Sequence, residues 1–182
     1  MAALRNEYTP HYTYDDYKSW EGEWELIGGK PYAMAPAPLV KHQAISQRIA
    51  WQLQDRLQDC NECHALLPVD WKIDEDTVVQ PDNLVICYDP KDAAYLTKAP
   101  VLIFEVLSKT TVLKDTKLKF ELYEREGVRY YVMVDPEDRV AHCYRLNGEG
   151  RYVKLADATQ ESVSFTLNES CDFDFDFSKI WT

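Results

Sequence analysis

The chain has 182 residues, 46% of them hydrophobic, and a formal net charge of −11. That length and apolar content suit one folded domain, expected over residues 1–182, and exclude a disordered chain. The acidic balance excludes a surface coated in phosphate-binding side chains, and no apolar run approaches the ~18 residues that span a membrane. Residues 1–16 carry charges and tyrosines and no apolar leader, so the expected location is the cytoplasm.

Gly28-Gly29, between the short runs 24–27 and 30–35, predicts a tight hairpin, because glycine adopts positive φ without steric cost. Pro36 and Pro38 should stop its second strand. Over 39–57, Ile45, Ile49, Leu53 and Leu57 recur every four positions, which predicts a helix with one apolar face. Residues 65–73 and 78–87 read as strands around the polar turn Asp74-Glu75-Asp76. A strongly apolar strand is expected at 101–108. A helix at 113–126 should end on Gly127, and a strand at 129–134 should close at Asp135-Pro136. Residues 139–146 and 151–155 predict a hairpin around Asn147-Gly148, and the alternating tail from Cys171 to Phe177 a half-buried strand. This order predicts a mixed α/β (α+β) fold, a curved sheet flanked by helices.

Five cysteines, an odd number without a secretion leader, are expected to be free thiols. Cys60-Asn61-Glu62-Cys63-His64 has the spacing of a haem-attachment run and of half a zinc site. With no second ligand pair, it reads as a helix end running into a turn.

Charge is unevenly spread. Residues 109–129 hold six basic and four acidic side chains, and residues 157–182 six acidic and one basic, so a locally positive face is available. Within the apolar strand around Ile103, Glu105 is out of place, because a buried carboxylate is costly unless paired, protonated or bound to metal. Asp82 follows Gln80-Pro81 in a similar run, where proline interrupts strand pairing. Two carboxylates on neighbouring strands suit a hard cation such as Mg²⁺. The plainer alternative is that Asp82 caps a turn and Glu105 pairs with a lysine. At 100° per residue, Lys119 lies inside the apolar arc of the following helix and Lys117 outside it, so Lys119 is the candidate neighbour of Glu105. An Asp115–Lys119 pair is compatible with this. His42 falls on the apolar face of the first helix, where a satisfied core histidine is the commoner outcome, and Glu25 is either an outer member of the site or a surface charge.

Gln80-Pro81-Asp82, Phe104-Glu105-Val106-Leu107-Ser108, Asp115 with Lys119 and Tyr123 at four-residue steps, and the run from Gly127 to Pro136 together resemble the Uma-type restriction endonucleases of the PD-(D/E)XK nuclease superfamily. Residues 24–30 and His42-Gln43 fit the same pattern. The resemblance implies a restriction-endonuclease-like core and Mg²⁺- or Mn²⁺-dependent phosphodiester hydrolysis, with DNA as substrate and a homodimer as the working unit. It implies Asp82 and Glu105 as metal ligands, and Glu25, His42, Gln80, Asp115 and Tyr123 as supporting residues. Leu107 stands where the superfamily's strand lysine would be, and Lys119 on the next helix takes that role by the resemblance. The alternatives are a catalytically inactive member that binds nucleic acid or protein, and an interaction module built on the Phe-rich tail.

Overall fold

Gly28 and Gly29 adopt φ of 56° and 72°, the left-handed region that favours glycine, and a Cβ on Gly29 would in addition meet the His11 ring. They join β1 (Trp24–Ile27) to β2 (Lys30–Ala33), after the short helix α1 (Tyr14–Tyr17). The structure, a computed structural model, describes residues 9–34, 39–109 and 114–182. Pro36 and Pro38, and Leu113 at the expected start of the second helix, lie outside the described residues.

The chain continues through α2 (Val40–Arg56), β3 (His64–Leu66), β4 (Trp71–Asp74), β5 (Thr77–Val79), β6 (Asn83–Ile86) and β7 (Leu102–Val106). A π-helical turn (Lys114–Leu118) leads into α3 (Lys119–Arg125). Then come β8 (Tyr130–Asp135), β9 (Val140–Leu146), β10 (Tyr152–Ala158), β11 (Ser162–Asn168) and β12 (Cys171–Asp176).

These strands form three hydrogen-bonded sheets, ordered β2-β1-β5-β4, β10-β9-β8-β7-β6-β3 and β11-β12. The expected strand at 78–87 is divided at Gln80-Pro81-Asp82, where the chain leaves the four-stranded sheet and enters the six-stranded one. Pro81 is tolerated because it falls between ladders, where no backbone N–H is wanted.

Strand β7 is buried along its whole length and sits inside the larger sheet, antiparallel to β6 and parallel to β8. Its alternating side chains feed two cores. Leu102, Phe104 and Val106 join α2 and the β11–β12 hairpin, while Ile103 and Leu107 join α3, Trp71 and Val79 on the opposite face. The hairpin carries no ladder to the larger sheet, and packing takes that place. Phe104 meets Phe175 at 5.1 Å between centroids, and buried Gln52 of α2 bonds both the backbone N–H (2.7 Å) and the carbonyl (3.1 Å) of Asp176.

The cysteine expectation is overturned. Cys60 is bonded to Cys171 and Cys63 to Cys87, leaving buried Cys143 as the free thiol. The physical reason is long-range. Folding brings the end of α2 against the start of β12, 111 positions away, and sets Cys63 one residue before β3, beside β6 and Cys87. Cys60 and Cys63 thus take different partners, which leaves no shared ligand sphere for the haem or zinc reading. Burial pushes the Cys143 thiol up to about 12. The native protein is therefore expected to react negligibly with a disulfide thiol reagent at pH 8, to yield one thiol per chain when unfolded without reductant, and to yield five after reduction. Five reactive thiols in the unreduced, unfolded chain would rule the pairing out.

Candidate active site

Extending the β6–β7 register by one step from Asn83↔Phe104 sets Asp82 opposite Glu105, on the face that looks toward α3. The Val106 N–H donates to Asp82 Oδ2 at 2.8 Å, and His42 Nε2 approaches the same oxygen at 3.2 Å. Glu105 Oε1 accepts from Lys119 Nζ at 2.8 Å and from the Tyr123 hydroxyl at 2.9 Å. Both acids are held through one oxygen, because the described contacts fall on Oδ2 of Asp82 and Oε1 of Glu105.

Glu25, on β1, is fully buried between two lysines. Its Oε1 lies 2.7 Å from Lys119 Nζ and accepts the Gln80 N–H at 2.9 Å, and its Oε2 lies 2.5 Å from Lys114 Nζ. Asp115 Oδ1 stands 3.6 Å from Lys119 Nζ, and the Asp115 carbonyl accepts from the Tyr131 hydroxyl at 2.8 Å. The Gln80 side chain turns away to Asp70 (3.1 Å), to which Tyr17 also donates.

The Glu105, Lys119, Asp82, Glu25, Asp115 and Tyr123 grouping expected from sequence is therefore brought together, with His42 at its margin and Gln80 joined through its backbone. His42 is a satisfied ion-pair partner of Asp82 on one nitrogen, while its Nδ1 is buried without a partner among the described residues. Lys114 is a member that helical periodicity misses. Positions 114 and 119 would lie roughly 140° apart on an α-helix. The π-helical turn closes at i→i+5 and sets them on one side.

Glu25, Glu105 and Asp115 thus gather around the Lys119 ammonium, with Lys114 on Glu25, while Asp82 pairs with His42 at the more exposed margin. Burial pushes Glu105 up; Lys119 opposes it, but Asp115, Asp82 and Glu25 add to the rise, and the carboxyl lies well above its ordinary range. Glu25 goes the other way. Burial raises it, and the Lys119 and Lys114 charges overcome that and hold it below 4.5. Lys119 is lowered by burial and raised more strongly by Glu105, Glu25 and Asp115, so it stays an ammonium.

The fold has a counterpart among solved structures. The structure matches a crystal structure described as a putative nuclease belonging to DUF820, from Anabaena variabilis, with a TM-score of 0.76 and 17% identity, over 93% of this chain and 97% of that one. The sequence settles the family: residues 14–175 match the Uma2 model, described as "Putative restriction endonuclease", and the chain belongs to that family of restriction-endonuclease-like nucleases. No curated protein matches the chain. No helix among the described residues is long and apolar enough to cross a membrane.

Proposed function

We propose that the protein is a divalent-metal-dependent endonuclease that hydrolyses phosphodiester bonds of DNA, with Asp82 and Glu105 as metal ligands and Lys119 beside them. One observation carries this reading. Two carboxylates lie opposite each other across neighbouring chain segments, each steadied through a single oxygen. A divalent cation would displace the proton that burial keeps on Glu105 and be matched by the two carboxylates. Among the described residues no three His, Cys, Asp or Glu side chains form a ready metal cage. Mg²⁺ and Mn²⁺ accept one or two carboxylates and keep several waters, so a pair such as Asp82 and Glu105 is enough for either.

Asp82 and Glu105 would hold the cation. The Val106 amide and His42 orient Asp82, and Tyr123 and Lys119 orient Glu105, as outer partners orient ligands elsewhere. When bound, Mg²⁺ or Mn²⁺ would polarise the scissile phosphate and make an attacking water more acidic. Lys119 supplies fixed positive charge beside Glu105, where negative charge grows in the transition state. Glu25 keeps that ammonium in place. Two such sites, in a homodimer, would serve the two strands of a duplex.

The test is cleavage of supercoiled, linear and single-stranded DNA with Mg²⁺ or Mn²⁺ and with EDTA. Metal-independent cleavage, or none on any form, would exclude the reading. Calorimetry supplies a second expected result. Mn²⁺ affinity should rise with pH and binding should release protons, because Glu105 must give up the proton that burial favours before it can ligate. Affinity that is flat with pH would count against Glu105 as a ligand.

A further inference from the structure

We propose that Lys114 is the residue that receives a substrate phosphate, a role that rests on the phosphodiesterase reading above. The contrast between the two lysines carries the assignment. Lys119 is 2% exposed and has carboxylate oxygens at 2.7, 2.8 and 3.6 Å from Nζ, on Glu25, Glu105 and Asp115. The carboxylates of Glu25 and Glu105 are within hydrogen-bond reach of its three N–H donors, and Asp115 adds a longer ion pair. Lys119 is thus enclosed by protein carboxylates and closed to solvent, so it acts by its fixed charge rather than by meeting a phosphate directly. The Lys114 side chain is 12% exposed, and among the described residues its ion pair is with Glu25 Oε2 alone. Donors remain for a further anion on its solvent side.

The local backbone is built for this. A regular helix would carry Lys114 away from Lys119, and the π-helical turn brings both to one carboxylate. Glu25 is a rigid base for the pair, fully buried on β1 and fixed by the Gln80 N–H. The ionised carboxylates of the site also repel a polyanion. Lys114, 12% exposed against 2% for Lys119, is the more accessible of the two cations and offsets that repulsion.

The experiment is fluorescence anisotropy of a labelled 20-base-pair DNA duplex, about two helical turns, with Ca²⁺ replacing Mg²⁺, over a series of salt concentrations. Each phosphate neutralised contributes about 0.9 to the slope of log K against log salt. Lys114→Gln is expected to lower the slope by about one and weaken binding several-fold at low salt. Lys114→Arg should keep the slope, and Lys117→Gln, on the exposed face, should match the unaltered chain. Should Lys114→Gln fail to fold, the double variant Glu25→Gln/Lys114→Gln removes the charge together with its partner and is expected to lose the same slope. An unchanged slope in whichever of these variants folds, with only a lower melting temperature, would reduce Lys114 to a counter-ion of Glu25 and overturn the proposal. If the unaltered chain binds no DNA at any salt, the nuclease reading falls first and takes this one with it.

Discussion

Asp82→Ala and Glu105→Ala are each expected to lower Mn²⁺ affinity by more than about 100-fold, because loss of an outer-shell partner alone costs roughly 10–100-fold. DNA cleavage should fall by about 10³-fold or more, on the scale of losing a transition-state charge stabiliser. The two changes differ in their folding cost. Asp82 is at the end of the strand break, 17% exposed, and its removal frees the Val106 N–H and His42. Glu105 is buried beside Lys119, so Glu105→Gln is the gentler variant: it keeps the shape and a hydrogen-bond acceptor for Lys119 and Tyr123 while removing the ligand charge. Calorimetry with Mn²⁺ and single-turnover cleavage would be read side by side. Metal binding and cleavage unchanged in both variants would move the centre elsewhere in the molecule.

Lys119→Ala is expected to have the largest effect on stability, a loss of about 3–5 kcal/mol, the range seen when one partner of a buried ion pair is removed. Here the cost arises because Glu25 and Glu105 are both buried and both face Lys119 Nζ. Lys119→Met should lose nearly as much, since it restores volume and no charge. Urea denaturation would measure it, and a loss under about 1 kcal/mol would mean that water reaches the cluster.

The same group sets an acid dependence whose signs oppose. Glu25 has a native pKa below 4.5, so its contribution is present above 4.5 and lost as pH falls through the lowered native value. Glu105 has a native pKa above 4.5, so it favours the folded state at low pH and loses that advantage as pH rises through the raised value. Without metal, the cluster should therefore lose stability from pH 4.5 upward through Glu105 and from pH 4.5 downward through Glu25. Glu25→Gln should flatten the acid limb alone. Saturating Mn²⁺ should remove the alkaline decline, because it stabilises the ionised Glu105. A metal-free profile with the same slope on both sides in Glu25→Gln would contradict the assignment.

Much of the site was legible before the fold because it violates local expectation. Glu105 is a charge in the middle of Leu102, Ile103, Phe104, Val106 and Leu107, and Asp82 follows a proline that interrupts a strand. Burial of such groups is expensive, so their presence in an apolar run carries information by itself. Lys119 followed from helical geometry, since its place among Leu118, Leu122 and Tyr123 put a charge on the buried arc. The mixed strand-and-helix architecture followed from periodicity in the same way, as did the hairpins at Gly28-Gly29 and Asn147-Gly148.

What chain order and spacing determined is the set of elements and the carboxylates that do not belong to them. Three matters were decided only by tertiary structure. The π-helical turn placed Lys114 against Glu25, because a local change of winding is invisible to a pattern read at a constant angle per residue. The split at Pro81 sent one run of apolar residues into two sheets, since which neighbour a strand pairs with depends on segments far away in sequence. The cysteines paired across 24 and 111 positions for the same reason. Proximity of that range is created by burying α2, β3 and the Phe-rich hairpin around Phe104, and no local signal in the chain records it.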